Sequence, residues 1–381
     1  MRVIDASQLP SGSTITADIC VVGSGAAGMT VATGLDGTDQ SVCLLESGGY
    51  APDEATQALY DLDVVGHPVR RNFMSRARYF GGTSNVWAGR NMRMSALDFL
   101  AREWIPHSGW PIPYSEVSRH YPAAEAILRL PSIESVEAVV ERSRRHPIEG
   151  PLVQNADLQP SVAVWGRKPV RFGGVYRRQL EKSRNISAYL NANVTDLALN
   201  PAGNHVESCA VNTLAGTSVR VSAGRFVLAC GGLETARLLL ASRSVLHEGI
   251  GNQHDAVGRY YMDHPRAVFG HVRLSSPQKL PGLMGVPLAG GMAQVGLQMT
   301  AEIQQREQLL NSYVTLERYW SDLAAGAYQS AVHSAKILLR TGYAGKRTSL
   351  GRANLARIPE LIYLLAPREI LPHPLYRVAR L

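Results

Sequence analysis

The sequence has little charge, few aromatic residues and only four cysteines. Charged residues make up 18% of the 381 residues and aromatic residues 7%, whereas hydrophobic residues make up 45%. A chain with this apolar content can bury a full-sized core, which excludes a disordered acidic or basic tail protein. The length corresponds to about two to three domains.

Long hydrophobic runs are also missing. No run approaches the roughly 18 apolar residues of a membrane helix, and the N-terminus carries no apolar signal segment, so we expect no integral membrane segment. The cysteines lie far apart, without a C-x-x-C pair. We therefore expect core thiols in a reduced, cytoplasmic protein, with no metal site. These cysteines are Cys20, Cys43, Cys209 and Cys230.

The net charge of +8 is concentrated near one end of the sequence. Residues 331–381 contain nine lysines and arginines and two glutamates, a charge of +7, which leaves +1 for the first 330 residues. A nearly neutral body is atypical of a nucleic-acid-binding protein, so we expect no nucleic-acid partner. The basic segment is typical of a solvated face, with an acidic partner or a membrane surface as the alternatives.

A glycine-rich turn lies between two apolar runs near the N-terminus. Residues 18–22 read Asp-Ile-Cys-Val-Val, a short and largely apolar run, and residues 23–28 read Gly-Ser-Gly-Ala-Ala-Gly. A second such run over residues 41–45 is followed directly by Glu46. In a strand–helix–strand unit, such glycines allow a tight turn and let a diphosphate approach the helix N-terminus. A carboxylate at the end of the second strand can accept hydrogen bonds from ribose hydroxyls. The spacing predicts a dinucleotide-binding unit.

The later part of the sequence favours FAD over NAD. The next strand of this type, at residues 226–230, follows Glu46 only after some 180 residues, and it leads through two glycines into a helix over residues 233–242. An NAD enzyme would continue directly with further strand–helix units. Alternating patterns over residues 268–274, 293–300 and 313–319 predict a separate antiparallel sheet.

Four stretches of the sequence resemble the glucose–methanol–choline flavoprotein oxidoreductases. They are residues 21–28 with 44–49, residues 78–90 with 108–112, residues 227–240, and residues 255–265. The resemblance covers roughly residues 15–275, and the Trp-Ala-Gly sequence at 87–89 is most similar to bacterial members that oxidise sugars and polyols.

The resemblance implies an α/β fold, in which a Rossmann-like FAD-binding domain is combined with a partial antiparallel-sheet substrate domain (α+β). We expect a discontinuous FAD-binding domain over residues 12–130 and 170–265. A loop-rich insertion is expected over residues 131–169, and the partial substrate domain with its basic tail over residues 266–381.

The resemblance also implies which residues surround the FAD. Backbone amides of residues 81–85, here called the Gly-Gly loop, would wrap the flavin and the diphosphate. Trp87 would flank the isoalloxazine ring, and Val194 would meet the adenine. Some family members attach FAD through a histidine immediately before this Trp; here the position is Val86, so we predict non-covalent FAD. The implied cofactor-binding residues are Gly23, Ser24, Gly25, Ala26, Ala27, Gly28, Glu46, Ser47, Arg78, Gly81, Gly82, Thr83, Ser84, Asn85, Trp87, Ala88, Gly89, Val194, Ala229, Cys230 and Gly231.

The implied activity is oxidation of a CH–OH group in a sugar, polyol or related alcohol, with hydride transfer to FAD. In the family the base is a histidine near the C-terminus, paired with a second His or an Asn. No such segment follows Tyr319, so the catalytic residues stay unassigned, with His67 and His107 as the mild candidates.

Three explanations fit the missing histidine segment. The chain is a truncated product, one half of a split enzyme completed by a second polypeptide, or a family member used for other flavin chemistry; we favour truncation or splitting. The alternative functions are a non-catalytic FAD-binding subunit, or pseudoenzyme, and a flavin-dependent lyase or photoenzyme, because a fold does not determine a function.

Overall fold

Short apolar runs form a seven-stranded mixed sheet at the centre of the protein. In this computed structural model the described residues are 2–66, 76–133, 135–144, 156–264, 267–271 and 285–316. The chain divides into a first unit of residues 1–267 and 274–315 and a second unit of residues 268–273 and 316–381. All the elements named below belong to the first unit; the described part of the second is residues 268–271 and Leu316.

The described strands and helices in chain order are as follows. The strands are β1 (Arg2–Asp5), β2 (Thr14–Val22), β3 (Val42–Leu45), β4 (Leu158–Gly166), β5 (Ile186–Leu190), β6 (Asn193–Leu199), β7 (Val206–Asn212), β8 (Ser218–Leu228), β9 (Val286–Leu288), β10 (Gly291–Met299) and β11 (Tyr313–Val314). The helices are α1 (Ala26–Gly34), α2 (Glu54–Ala58), α3 (Tyr114–Ser118), α4 (Tyr121–Ile127), α5 (Val136–Arg144), α6 (Phe172–Val175), α7 (Arg177–Lys182), α8 (Gly232–Ala241) and α9 (Ala301–Arg306).

The large sheet has the strand order β1-β5-β3-β2-β8-β7-β6. Neighbours from β1 to β8 are parallel, and β8, β7 and β6 continue as antiparallel hairpins. All four residues of β3 are buried, because Leu44 packs in a cluster with Met29 of α1 while Leu45 packs in a second cluster with Leu238 of α8. A leucine buried in this way contributes about 1.5–3 kcal/mol to the free energy of unfolding.

A smaller antiparallel sheet is built on the pairing of β10 with β4. The two strands pair over nine residues, from Gly291 opposite Gly166 to Met299 opposite Leu158, and β9 and β11 pair with β10. One face of the sheet packs on α5, where the buried Val139 contributes to the same apolar cluster as Val295. The predicted strand at 293–300 is therefore confirmed. Of the strand predicted at 268–274, the described residues 268–271 are not in a strand, and of the strand predicted at 313–319, the described part forms only the two-residue β11.

The fold class is as predicted: an α/β fold with a largely parallel central sheet and a second, antiparallel sheet. Residues 131–169, predicted to be rich in loops, contain α5 and β4. Polar residues in β4, such as Gln159 and Ser161, hide the strand pattern, and its partner β10 begins about 125 residues later, beyond the reach of a local sequence pattern. The predicted domain boundaries themselves stay predictions.

Two further differences concern strands. β1 lies before the predicted domain start at residue 12 and pairs with β5 at the sheet edge. The strand predicted at 226–230 is the last part of a longer strand, β8, which begins at Ser218 and passes through Gly224 without a break. The tail from residue 317 lies outside the described residues. Within the described ranges, none of the helices combines the length and apolar character needed to cross a membrane.

The side-chain amide of Asn185 connects β5 to the loop between α1 and β3. Its Nδ2 donates to the carbonyl oxygens of Leu35 and Gln40, each at 2.8 Å, and its Oδ1 accepts from the Gly37 amide at 3.0 Å. The loop carbonyls at the end of α1 thus obtain partners that the helix itself cannot supply.

We predict that Asn185→Asp destabilises the protein by about 1–3 kcal/mol, because a carboxylate oxygen would then face two carbonyl oxygens. The measurement is urea unfolding followed by far-ultraviolet circular dichroism. Asn204→Asp is the matched control, since the Oδ1 of Asn204 already accepts a hydrogen bond from Asn200. We expect the control to change the free energy of unfolding by less than about 0.5 kcal/mol. Equal losses of unfolding free energy in Asn185→Asp and Asn204→Asp would contradict the role given to the Asn185 side chain.

Candidate functional site

A cleft opens where three parallel strands end side by side. The last residues of β2, β3 and β8 are paired in register, with Val22 between Leu45 and Leu228. The carboxyl ends of parallel strands at such a point form the usual ligand-binding crevice of open α/β sheets. The cleft has a volume of about 290 Å³.

The glycine-rich turn after β2 forms the floor of the cleft. Gly25 is the N-cap residue of α1 and provides no side-chain cap, so the first N–H groups of the helix remain available to a ligand. A Cβ added at Gly25 would meet no atom within 4 Å, whereas a Cβ at Gly28 would lie 1.8 Å from the Gly23 carbonyl oxygen. Gly25 therefore leaves space for a ligand, and Gly28 allows α1 to pack against the turn.

Glu46 connects the glycine-rich turn to the chain after β3. Its carboxylate, 5% exposed, accepts hydrogen bonds from the amide and the hydroxyl of Ser24 and, at 2.9 Å, from the Gly48 amide. The Ser24 hydroxyl oxygen in turn accepts from the Gly81 amide at 3.0 Å. Glu46 lines the cleft as well, and its bond to ribose hydroxyls stays a prediction.

The Gly-Gly loop is held over the cleft by the segment that leads into α6. The Ser84 hydroxyl donates to the Gly81 carbonyl at 2.6 Å and accepts from the Phe172 amide at 3.1 Å. The Trp87 indole nitrogen donates to the Val170 carbonyl at 3.0 Å. The orientation of the Trp87 ring at the cleft is therefore fixed by the protein itself.

The structure brings sixteen of the twenty-one predicted cofactor-binding residues together around this one cleft. They are Gly23, Ser24, Gly25, Ala26, Ala27, Glu46, Ser47, Arg78, Gly82, Thr83, Ser84, Trp87, Val194, Ala229, Cys230 and Gly231.

The other five predicted residues do not line the cleft, and most of them support its walls. Gly28 and Gly81 are positions of close backbone packing. The Asn85 amide nitrogen donates to the Phe80 carbonyl within its own loop at 2.9 Å. The remaining two lie away from the cleft: Ala88 is exposed, and Gly89 packs against Pro169.

A charged wall that the sequence analysis missed lies opposite the glycine-rich turn. Tyr60, Glu234 and Arg237 line the cleft together with Arg78. Glu234 is only 7% exposed and forms ion pairs with Arg78 at 3.3 Å and with Arg237 at 3.0 Å. The three-residue spacing of Glu234 and Arg237 on a predicted helix was the available signal, since residues so spaced face each other.

Two titratable groups in the cleft have raised pKa values. Burial raises the pKa of Tyr60 to about 12, against the opposing effect of the nearby Arg78. Burial likewise raises the pKa of Cys230, whose thiol donates to the Val22 carbonyl at 3.4 Å. Both groups are therefore neutral at physiological pH.

The candidate catalytic histidines are not brought to the cleft. His107 is exposed, has a positive φ of 60°, and stacks on Tyr260 with ring centroids 4.0 Å apart. His67 lies outside the described residues. Among the described residues that line the cleft, none is a histidine.

Comparisons with known proteins place this chain beside oxidases. No family model matches the sequence. The chain is 26% identical over 292 residues to 6'''-hydroxyparomomycin C oxidase of Streptomyces lividus, an alignment that covers 64% of this chain and 53% of that protein. The chain thus spans about half the length of the curated relative it matches. The name of this relative, an oxidase, agrees with the oxidoreductase activity that the resemblance to the glucose–methanol–choline flavoproteins implies.

Solved structures with a similar chain path include two further oxidases. Pyridoxine 4-oxidase from Mesorbium loti is 22% identical with a TM-score of 0.39, over 59% of this chain and 51% of its own. A formate oxidase is 19% identical with a TM-score of 0.40, over 61% of this chain and 48% of its own. At these scores, the assignment of the fold rests on the strand order of the chain itself.

We predict that Gly25→Ala leaves the thermal unfolding midpoint of the ligand-free protein within about 2 °C of its original value, because the new methyl group meets no protein atom. The same substitution should weaken binding of ADP, measured by isothermal titration calorimetry, because the methyl group occupies space between the helix N-terminus and a diphosphate. Gly28→Ala is the matched comparison, and we expect it to lower the midpoint, since its methyl group meets backbone. Similar midpoints for both variants would refute this division of roles.

We predict that the alkylation rate of Cys230 by iodoacetamide keeps rising above pH 9. The thiolate is the reactive form, and a raised pKa postpones its formation to higher pH than in a free cysteine. Peptide mass spectrometry after timed labelling gives the rate at each pH, and Cys230→Ser identifies the labelled peptide. A rate that reaches its plateau below pH 9 would be inconsistent with the raised pKa.

Proposed function

We propose that the chain binds FAD non-covalently in this cleft and forms the FAD-binding part of an oxidoreductase. Its substrate class is a sugar, polyol or related alcohol, oxidised at a CH–OH group. One observation carries the proposal: sixteen residues that the family resemblance assigns to the cofactor, from separate parts of the sequence, line a single cleft at the ends of β2, β3 and β8.

The residues around the cleft fit a dinucleotide. The open space at Gly25 and the uncapped N-terminus of α1 suit a diphosphate. Across the cleft, Arg78 is 91% buried, and its Nε has no hydrogen-bond partner among the described residues. A buried guanidinium with an unpaired nitrogen favours an anionic ligand.

FAD, when bound, supplies the hydride acceptor for alcohol oxidation. The residues of this chain bind and orient it: the first N–H groups of α1 face the diphosphate, and Val194 borders the part of the cleft assigned to the adenine. Trp87, fixed by its bond to Val170, presents an aromatic face to the flavin side. Val86 carries no nucleophile, which supports non-covalent binding.

The substrate class is supported by the curated relative. That protein is named as an oxidase of a hydroxylated compound, 6'''-hydroxyparomomycin C, and its alignment includes 64% of this chain. The electron acceptor is left open, and a cytoplasmic location stays a prediction from the cysteine pattern.

A second candidate function is a non-catalytic FAD-binding subunit, or one half of a split enzyme. It is favoured by the lack of a histidine among the described residues that line the cleft. Alcohol oxidation needs a base for the hydroxyl proton, and in this alternative a second polypeptide provides it.

The visible absorbance spectrum of the purified chain tests the proposal. We expect the two-banded spectrum of an oxidised flavin, and we expect acid precipitation to release the yellow colour into the supernatant because the flavin is not covalently attached. Anaerobic addition of sugars and alcohols then separates the two functions: bleaching indicates oxidation by this chain, and an unchanged spectrum indicates a subunit that only binds FAD.

A protein that remains colourless after reconstitution with FAD would refute the proposal. Yellow colour that stays with the precipitate would refute non-covalent attachment. Gly25→Ala, in which the new methyl group meets no protein atom and occupies the space assigned to the diphosphate, serves as the variant in which we expect the colour to be lost.

A further inference from the structure

One buried carboxylate gathers three arginines on the wall of the cleft. Glu234, in the first turn of α8, pairs with Arg76 through Oε1 at 3.1 Å and with Arg78 through Oε2 at 3.3 Å. The Nε of Arg237 binds the same Oε2 at 3.0 Å. Three positive charges therefore share one negative charge, which leaves a net charge of +2 in the cluster.

Aromatic stacking restricts the two arginines that come from the chain before the Gly-Gly loop. The guanidinium carbons of Arg76 and Arg78 lie 4.3 and 4.8 Å from the centre of the Tyr60 ring. Arg78 also donates from Nη2 to the Asn193 side chain at 3.4 Å. With Tyr60 on one side and Glu234 at its tip, the Arg78 side chain has little rotamer freedom left.

Arg78 is the arginine of the cluster whose charge is costly to bury, since the side chains of Arg76 and Arg237 are 23% and 52% exposed. Arg78 is 91% buried, and its Nε is without a partner among the described residues. Buried charge is stabilised when it is paired and fully hydrogen-bonded. The positive N-terminal end of α1 lines the same cleft through Gly25, Ala26 and Ala27, so two independent features favour an anion in one space.

We infer that Glu234 is a positioning residue for the diphosphate of the bound dinucleotide. It holds the guanidinium groups of Arg78 and Arg237 at the cleft, where they face the phosphate oxygens opposite the N-terminus of α1. The inference rests on the proposed binding of FAD, and it assigns to Glu234 a role that acts entirely through the arginines.

Neutralising Glu234 separates two explanations of anion affinity, because they predict opposite changes. In the first, the affinity depends on the net charge of the cluster; in the second, it depends on the position of the arginines. If charge alone determined affinity, Glu234→Gln would raise the net charge of the cluster to +3 and tighten the binding of an anion. If position determines affinity, the same variant releases the arginines, and the diphosphate loses charge-assisted hydrogen bonds. The direction of the change therefore separates the two explanations.

The experiment compares ADP with adenosine on the full chain freed of flavin, by isothermal titration calorimetry. Adenosine lacks the diphosphate and serves as the internal reference. For Glu234→Gln we expect the Kd of ADP to rise about tenfold, while the Kd of adenosine changes by less than about twofold. A tighter ADP complex, or an equal loss for both ligands, overturns the inference.

Glu181→Gln is the matched control, because Glu181 also pairs with an arginine, Arg177, but lies outside the cleft lining. We expect it to leave both dissociation constants unchanged. Far-ultraviolet circular dichroism establishes that each variant is folded. If Glu234→Gln does not fold, Arg237→Gln decides instead, because the Arg237 side chain is 52% exposed and tolerates replacement. For Arg237→Gln, a loss of affinity confined to ADP supports the inference, and an equal loss of affinity for ADP and adenosine overturns it.

The wild-type titrations distinguish this inference from the proposed function. If the wild-type chain binds neither FAD nor ADP, both the proposed function and the inference about Glu234 are refuted. Binding of FAD with no selective effect at Glu234 or Arg237 leaves the proposed function standing and overturns only the role of Glu234.

Discussion

The shape of the cleft depends on the hydrogen bonds that the buried Glu46 carboxylate accepts. The carboxylate binds both the amide and the hydroxyl of Ser24, and that hydroxyl accepts the Gly81 amide. Through two side chains, the end of β3, the glycine-rich turn after β2 and the Gly-Gly loop are held at fixed distances. Because a buried carboxylate is costly unless its oxygens are hydrogen-bonded, this network favours one arrangement of all three segments.

The cleft combines a backbone anion site with a side-chain anion site. On one side, α1 offers peptide N–H groups that carry no net charge and need no counter-ion. On the other side, Arg78 and Arg237 offer full charges, which Glu234 orients and partly neutralises. Peptide groups cannot move away when a ligand leaves, whereas arginines can, and this explains why the arginine side requires an additional carboxylate and the stacked Tyr60.

Much of the cleft could be predicted from local sequence, because its parts are turns that follow apolar strands. The glycine-rich turn, Glu46 and the Ala229–Gly231 segment each follow a buried strand in the sequence, and strand ends converge in a parallel sheet. In the charged wall, the i, i+3 pair of Glu234 and Arg237 left a local signal, whereas the pairing of Glu234 with Arg76 could not be predicted, since the two residues are separated by 158 residues. The strand β4 was missed for the same reason, because its partner β10 is distant in sequence.

The position of β8 in the large sheet has a consequence for the order of folding. β8 lies beside β2 near the middle of the sheet, yet it comes last of the seven strands in the chain. Until residue 228 has left the ribosome, β2 has an unpaired edge, and the apolar faces of β2 and β3 lack α8 as a cover. Such an edge invites pairing with other chains. The nascent protein therefore passes through a long aggregation-sensitive stage that ends when β8 inserts.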